Sequence, residues 1–284
     1  MLAAIKIVAL VIADRLRKLE MANLAAAASI AVALHLDFAD VTIRVAFAFL
    51  LNALVYLNND YIDVHLDLSS PDKDTQKAQH LADNMRAAFW AQVFMAVALA
   101  AAAIALDLGL LVALVAGGGV CVWYSAVLKR RPYVDILAMM VWGIAMPLCG
   151  VPLQSTLGWV MAGQLGLFSG VFESIQVIRD ADDDAVDATV RTTGVVLGKQ
   201  KTLLLARCIM AAVALYGALL LHPLAGLLAG SAFFVPYHDD RIAQYWTRVK
   251  LVYGVMWLFV CGFVFLNKTS AGLILSISAM TGAP

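Results

Sequence analysis

Apolar residues are gathered into long runs along this chain, and polar residues are concentrated in the stretches between them. Most runs approach the roughly 20 residues with which an α-helix crosses a membrane. Backbone polar groups inside a membrane must be satisfied internally, and the runs lack the alternation of a membrane β-barrel, so each run predicts a helix. We identify nine runs, at residues 22–36, 41–57, 87–106, 108–124, 135–152, 157–178, 202–221, 224–237 and 249–266.

The composition supports the same class of protein. Hydrophobic residues make up 63% of the chain and charged residues 14%, whereas a soluble domain has about 45–50% apolar and about 25% charged residues. We therefore predict an all-α polytopic membrane protein, with about nine transmembrane helices in one bundle and a single domain over residues 1–284. Residues 1–20 lack a small-residue cleavage site, so we expect an amphipathic helix on the membrane surface rather than a signal peptide.

The basic residues are distributed unevenly between the two sides of the predicted bundle. With the N-terminus in the cytoplasm, all 20 Lys and Arg residues except Arg44 and Lys268 lie on the cytoplasmic side. Cytoplasmic loops of membrane proteins are enriched in Lys and Arg, so this asymmetry supports both the orientation and the helix count. The polar connections after the second, fourth and sixth helices then form a cytoplasmic cap, where we expect the functional site.

The connection after the second helix carries acidic groups at helical spacing. Its sequence, NNDYIDVHLD, places Asn59, Asp60, Asp63 and Asp67 on one broad face of a continuing helix. Like charges at this spacing repel each other, so a divalent cation is a natural partner, although a solvated helix end is the alternative. Magnesium usually binds only one or two carboxylates together with substrate phosphates, so this single stripe does not predict a metal site closed by protein ligands alone.

The connection after the sixth helix contains a second acidic stripe. In RDADDDAVDATVRTTG, Asp180 and Asp184 are four residues apart, as are Asp183 and Asp187. The topology brings this stripe to the same membrane face as the first one. Two facing stripes could hold metal ions between them, and the metal ions could hold a diphosphate that carboxylates alone would repel.

The connection after the fourth helix supplies the opposite charge. Lys129, Arg130 and Arg131 follow that helix directly, and Arg and Lys are the side chains that bind phosphate oxygens. The alternative is a basic cluster that only satisfies the membrane topology. Four further cations lie near the acidic stripes: Lys73, Lys77, Arg191 and Lys199.

A few polar side chains fall within or at the ends of the apolar runs. Glu173 and Gln176 lie within the sixth run, Asn23 opens the first, and Tyr124 ends the fourth. Ionisable groups inside a membrane span are candidates for function, with a buried hydrogen bond between helices as the alternative. We predict that these four residues line a cavity beneath the metal site.

The motifs together resemble the UbiA-type intramembrane prenyltransferase superfamily. NDYIDVHLD at residues 59–67 fits its NDxxDxxxD pattern, and DADDD at residues 180–184 fits its second DxxxD pattern. The sequences RTTGVVLG at residues 191–198 and YSAVLKRRP at residues 124–132 are similar to further family segments. Because the family also has nine helices, the resemblance covers most of the chain.

The resemblance implies a fold, a cofactor and a reaction. Family members bind Mg²⁺ through the two acidic motifs, and the metal holds an isoprenyl diphosphate; a hydrophobic or aromatic acceptor then receives the prenyl chain, and no nucleic acid takes part. The implied metal ligands are Asn59, Asp60, Asp63, Asp67, Asp180 and Asp184. The implied diphosphate-binding residues are Lys129, Arg131, Arg191, Lys199 and Lys73. Asp63, Asp180 and Lys129 are the implied catalytic residues.

Two other functions stay open at the level of the sequence. The family's basic, Pro- and Gly-containing segment after the first motif is replaced here by DTQKAQHLAD, at residues 74–83. This departure motivates a terpene cyclase, in which the double bonds of the substrate itself capture the cation. A membrane transporter is a third class, but transporter sites usually lie near the membrane midplane rather than at one face.

Overall fold

The computed structural model describes residues 2–17, 20–69, 75–186 and 190–269, and these residues form helices and turns without a strand. The all-α prediction is confirmed. Within the described residues the α-helices are α1 (Leu2–Arg17), α2 (Ala22–Ala33), α3 (Phe38–Ser69), α4 (Thr75–Asp83), α5 (Met85–Leu106), α6 (Leu108–Val112), α7 (Gly119–Ala126), α8 (Val134–Ala145), α9 (Thr156–Arg179), α10 (Ala181–Asp184), α11 (Thr193–Leu197), α12 (Lys199–Tyr216), α13 (Pro223–Gly230) and α14 (Ile242–Phe265).

Five of the described helical segments are long and apolar enough to cross a membrane. They are Phe38–His65, Met85–Leu106, Leu108–Ala126, Lys199–Leu221 and Asp239–Phe265. Three shorter apolar segments are Ala22–Ala33, Val134–Gly150 and Pro223–Phe234. The 24-residue helix α9 is not among the five. A membrane-embedded bundle is therefore supported, and the crossing of the membrane by nine helices stays a prediction.

Helix α3 extends beyond its apolar part without interruption. It has 32 residues and continues to Ser69, so the whole NDxxDxxxD motif is helical, as its spacing predicts. Helices α7 and α9 end at the same end of the bundle, with Ala126 and Arg179 as their last residues. We call this the site end, because it brings the three polar connections together.

The opposite end of the bundle is held by one buried arginine. Arg44 forms ion pairs with Asp40 and Asp107, and its guanidinium donates to the backbone carbonyls of Cys149 and Val151 at 3.2 Å. The arginine side chain is only 4% exposed. A buried charge is tolerated when it is paired and hydrogen-bonded, so Arg44 fixes α3 to the connections that follow α5 and α8.

Close helix packing completes the bundle. A Cβ atom built on Gly143 of α8 would lie 2.1 Å from the Ser169 hydroxyl of α9, so this position requires glycine for the two helices to approach. The first and last apolar helices also meet, since the indole nitrogen of Trp257 donates to the Ser29 hydroxyl at 2.9 Å. Small residues and interhelical hydrogen bonds are the usual means by which membrane helices associate.

Helix α1 packs against the site end of the bundle. Its buried residues Ile7 and Val11 form an apolar cluster with Leu57 of α3, Leu81 of α4 and Ala88 of α5. Burial of apolar side chains contributes roughly 1.5–3 kcal/mol each for residues of this size. This packing attaches α1 and α4 to the same side of α3.

Candidate active site

The first acidic motif contacts α7 and the connection that follows it through two of its residues. Asn59 and Asp63 lie one turn apart on α3 and face the same neighbour. The Ser125 hydroxyl donates to Asn59 Oδ1 at 2.9 Å, and Lys129 Nζ donates to both Asp63 carboxylate oxygens at 2.6 and 2.8 Å. A cation therefore already balances Asp63.

Asp60 points to a different neighbour from Asp63. It is 1% exposed and accepts from Arg15 of α1 at 2.6 Å and from Lys77 of α4 at 2.9 Å. Lys77 also donates to Asp14 of α1 at 2.7 Å. Burial lowers the pKa of Lys77, but Asp60 and Asp14 more than offset this effect, so the pKa is raised above its ordinary value. The carboxylate of Asp60 thus links α1, α3 and α4.

Asp67 completes the first motif one turn beyond Asp63. It is 8% exposed, so the last acidic residue of the motif is turned inward rather than into solvent. The acidic residues of α3 therefore do not all face one neighbouring helix. Asn59 and Asp63 lie on the side of α7, while Asp60 lies on the side of α1 and α4.

The second acidic motif lies where α9 gives way to a short helix. Asp180 follows the last residue of α9 and accepts from the Arg179 guanidinium at 2.6 and 3.1 Å. Asp184 ends α10 and accepts from the Thr192 hydroxyl at 3.2 Å. Burial raises the pKa of Asp184 above its ordinary value. Both carboxylates stand at the site end of α9.

A cavity of about 260 Å³ joins the basic connection to the second acidic motif. It opens at the site end of the bundle, between the ends of α7 and α9. Its walls combine three carboxylic acids with two cations, so it is a charged cavity above an apolar bundle. The lining residues are Tyr124, Lys129, Arg130, Glu173, Gln176, Val177, Asp180, Asp184, Val190 and Thr192.

Lys129 connects this cavity to the first motif. Its side chain lines the cavity together with Asp180 and Asp184, and it is ion-paired to Asp63 of α3. The two acidic motifs are thus brought to one place with a lysine between them, although they are more than 100 residues apart in the sequence.

The wall of the cavity contains a hydrogen-bonded pair that joins α7 to α9. The Tyr124 hydroxyl of α7 donates to Glu173 Oε1 of α9 at 2.6 Å, and Glu173 is 4% exposed. Gln176 lies one turn closer to Asp180 and lines the same cavity. The structure therefore places Tyr124, Glu173 and Gln176 together, whereas Asn23, at the start of α2, is not among the lining residues.

A buried aspartate holds the segment that follows the second motif. Asp135 of α8 is 0% exposed and accepts from both the backbone amide, at 2.7 Å, and the hydroxyl of Thr193. The next residue, Gly194, lies so close to α9 that a Cβ atom there would be 2.0 Å from the Val177 carbonyl oxygen. The RTTG sequence is thus bound to α8 and packed against α9, and this packing positions Thr192 next to Asp184.

Other predicted residues lie away from the cavity. Arg131 and Arg191 are exposed, and neither lines it. Lys199 forms an ion pair with Asp182, which is itself exposed. Lys73 lies outside the described residues. Among the residues that the structure describes, no group of three or more Asp, Glu, His or Cys side chains is already arranged to hold a metal ion.

Sequence reasoning underrated several side chains that the structure brings to the site. Arg130 rather than Arg131 lines the cavity, because the chain forms a single 3₁₀ turn at Leu128–Arg130 and turns away after it. Thr192 also lines the cavity. The only indication of this in the sequence is the pair of threonines that precedes Gly194. Arg15 had no signal beyond its charge, since only packing brings α1 to Asp60.

Comparison with known proteins agrees with this geometry. A family model described as the UbiA prenyltransferase family matches residues 21–239, which is most of the chain and includes both acidic motifs. A search by sequence among curated proteins finds no match.

Solved structures share the fold at low sequence identity. A UbiA homolog from Archaeoglobus fulgidus bound to DMAPP and Mg²⁺ has a TM-score of 0.60 and 13% identity, covering 88% of this chain and 96% of that chain. A UbiA homolog from Aeropyrum pernix K1 has a TM-score of 0.53 and 18% identity, covering 93% and 98%. A structure described for digeranylgeranylglyceryl phosphate synthase has a TM-score of 0.59 and 13% identity, covering 92% and 99%.

These structural likenesses establish the fold, and the family match extends over both acidic motifs and the basic connection between them. Lys129, Asp180 and Asp184 of these segments line one cavity, and Lys129 is ion-paired to Asp63 of the first motif. The chain belongs to the UbiA prenyltransferase family.

Proposed function

We propose that the protein is a magnesium-dependent intramembrane prenyltransferase that ionises an isoprenyl diphosphate and transfers the prenyl chain to a lipophilic or aromatic acceptor. One observation carries the proposal. Lys129 is ion-paired to Asp63 of the first motif and lines one cavity with Asp180 and Asp184 of the second. The second motif and a phosphate-binding cation thus line a space of about 260 Å³, and the ion pair of Lys129 with Asp63 joins the first motif to it.

The residues present fit Mg²⁺. Asn59, Asp63, Asp67, Asp180 and Asp184 offer only oxygen donors, which this hard cation prefers. Magnesium sites for phosphate substrates use one or two carboxylates and complete their coordination with phosphate oxygens and water. In this proposal, substrate and water complete the coordination.

Asp60 has a separate role in this proposal. Two cations already occupy its carboxylate oxygens, and its side chain is only 2% exposed. We assign it to holding α1 and α4 in place beside the motif.

The chain's cations stabilise the leaving group. When the bond between the allylic carbon and the diphosphate oxygen breaks, both electrons stay with the oxygen and negative charge develops there. Lys129 and Arg130 line the cavity and neutralise this charge. Bound Mg²⁺ would add further positive charge at the same oxygens.

The apolar interior beneath the cavity protects the carbon chain. Phe172 precedes Glu173 on α9, and its ring lies 5.8 Å from the Tyr253 ring of α14, which stacks on Phe168 at 4.6 Å. Aromatic faces stabilise cations, and exclusion of water prevents capture of the allylic cation. The acceptor forms the new bond to that carbon and releases a proton, which completes the transfer.

We further propose that the chain acts as one domain with its active site facing the cytoplasm. The distribution of Lys and Arg in the sequence supports this orientation. The five membrane-capable helices support embedding of the bundle in the lipid bilayer.

The test is diphosphate release by the purified protein in detergent, with allylic diphosphates of several lengths. We expect release that requires Mg²⁺ and an added acceptor, together with a prenylated product. Asp63→Asn and Asp180→Asn should remove the activity, while Lys201→Gln, at an exposed lysine outside the cavity, should keep it. Full activity in both Asp variants would refute the proposed enzyme.

Terpene cyclisation is the second candidate. The segment after the first motif forms α4, a regular helix whose Lys77 is bound to Asp14 and Asp60. Helix α4 stands where the sequence resemblance leads us to expect the basic, Pro- and Gly-containing segment of the family. Release of diphosphate without an acceptor, with a cyclic hydrocarbon or alcohol as product, would establish this candidate instead. Transport is less favoured, because the carboxylates gather at one end of the bundle rather than midway along it.

A further inference from the structure

A second cavity at the site end lies between α1 and α4, apart from the cavity that Asp180 and Asp184 line. It is a groove of about 720 Å³, and its charged lining residues are mostly basic. Lys6 and Arg17 of α1 form one wall, and Lys77 and His80 of α4 form the other. Asp83, at one end, accepts a hydrogen bond from Gln79 at 2.8 Å. The proposed prenyl transfer makes no use of this groove.

Two of the cations have no partner within the described part of the chain. Lys6 and Arg17 are exposed and form no side-chain hydrogen bond or ion pair there, whereas Lys77 is already bound to Asp14 and Asp60. The Nε2 atom of His80 is buried and has no hydrogen-bond partner among the described residues. The groove therefore has unused positive charge and an unused polar atom, which is the chemistry of an anion site.

The position of the groove relative to the membrane follows from the helices that flank it. The span Phe38–His65 ends just before α4, and the span Met85–Leu106 begins just after it. Helix α4 therefore belongs to the connection between two segments that are each long and apolar enough to cross a membrane. Helix α1 packs against α4 and against the adjoining ends of both segments.

Helix α1 also exposes a second apolar face beside the groove. Ile7 and Val11 are buried against the bundle, but Leu2, Ile5 and Leu16 are 84%, 59% and 51% exposed. These three residues share one side of the helix, opposite the buried one. An amphipathic helix with apolar residues turned outward and cations at its flank lies in the headgroup region of a membrane.

We propose that the groove between α1 and α4 binds the phosphate of an anionic lipid headgroup. The apolar face of α1 would lie among the acyl chains, and Lys6 and Arg17 would contact the headgroup phosphate. This site is independent of the proposed prenyl transfer. Free phosphate has the same charge chemistry, but it makes no use of the exposed apolar face, and this difference favours a lipid as the occupant.

The experiment titrates the purified full-length protein in detergent with phosphatidylglycerol or phosphatidylcholine and counts bound lipids by native mass spectrometry. Phosphatidylglycerol should bind more tightly. The double variant Lys6→Gln/Arg17→Gln should weaken its binding by about tenfold or more, since each cation near a membrane surface contributes roughly fivefold. The conservative variant Lys6→Arg/Arg17→Lys should retain the binding.

A matched control removes the same charges elsewhere. Lys201 and Arg248 are exposed, lie near the starts of α12 and α14 at the site end, and line neither cavity. Lys201→Gln/Arg248→Gln should bind phosphatidylglycerol as the unchanged protein does. An equal loss in this control, or equal affinity for the two lipids, would overturn the proposal. Displacement of the lipid by millimolar inorganic phosphate would assign the groove to a soluble phosphate compound, and would overturn it as well.

Discussion

Lys129 donates to both carboxylate oxygens of Asp63, at 2.6 and 2.8 Å, while its side chain lines the cavity of Asp180 and Asp184. The ammonium group of the lysine is thus held by the first acidic motif, and its side chain borders the cavity of the second. In the proposed reaction, this arrangement places the positive charge of Lys129, together with that of Arg130, beside the diphosphate.

Loss of Lys129 should lower the rate of the chemical step more than the affinity for the substrate. We expect Lys129→Gln to lower kcat for diphosphate release by about 100-fold, the usual effect of removing one group that stabilises charge developing in a transition state. The same substitution at the exposed Lys201 is the control and should leave kcat within twofold, which is about the scatter of such assays. Equal effects of the two substitutions would contradict the role given to Lys129. Steady-state kinetics with a fixed allylic diphosphate provide the measurement.

Removal of the metal should abolish activity and also the stabilisation by substrate. A ligand that binds only the folded state raises the unfolding temperature. We expect an unreactive diphosphate analogue to raise it only in the presence of Mg²⁺, with no increase after chelation. Asp63→Asn or Asp180→Asn should prevent this increase. An analogue that stabilises the protein equally without Mg²⁺ would argue that Lys129 and Arg130 alone hold the diphosphate.

Tyr124 should stabilise the fold through its bond to Glu173. Tyr124→Phe leaves a buried carboxylate without its donor at 2.6 Å, which should lower the free energy of unfolding by about 1–3 kcal/mol. Tyr61→Phe is the matched control, because Tyr61 is part-buried at the same end and its hydroxyl has no hydrogen-bond partner in the described residues. Chemical unfolding of both variants in detergent measures the difference. A similar loss in the two variants would show that the hydroxyl of Tyr124 has no special partner.

Gly194 should be intolerant of even a methyl group. The added Cβ of Gly194→Ala would lie 2.0 Å from the Val177 carbonyl oxygen, so the RTTG segment must move away from α9. Overpacking of this kind costs about 1–3 kcal/mol, and the movement should also displace Thr192 from Asp184 and reduce activity.

Gly254→Ala is the corresponding control. Its Cβ would have no atom within 4 Å, and the helix α14 should gain about 1 kcal/mol from the higher helix propensity of alanine. Thermal unfolding and diphosphate release distinguish the two substitutions. A Gly194→Ala protein that unfolds and reacts like the unchanged protein would mean that the segment does not pack against α9 in this way.

Asp60 should behave as a structural anchor. Arg15→Gln removes one of its two cations, and breaking a buried ion pair by deleting one partner costs about 3–5 kcal/mol. If Asp60 holds α1 and α4, the effects of Arg15→Gln and Asp60→Asn on unfolding should be strongly non-additive in a double-mutant cycle. Additive effects would assign Asp60 to a site that does not involve α1. Proteolysis at the N-terminus should also become faster in both single variants.

The helical content of the protein and the location of its chemistry follow from the sequence alone. Apolar runs of near-spanning length permit only helices in a membrane, and the spacing of Asn59, Asp63 and Asp67 predicts one helical face. Both expectations are local, since they depend on the chemistry of the backbone and on residues a few positions apart. The same local signals identified the two acidic motifs and the basic connection that the family comparison includes.

Only the tertiary structure decides which neighbour each side chain meets. Asp60 and Asp63 are three residues apart on α3, yet one contacts Arg15 and Lys77 and the other contacts Lys129. Helical periodicity gives the direction of a side chain around its own axis, but not the identity of the helix that packs there. The identity of that helix depends on apolar packing summed over the whole bundle. This packing therefore decides that Asp60 holds α1 and α4, whereas Asp63 contacts a lysine of the cavity.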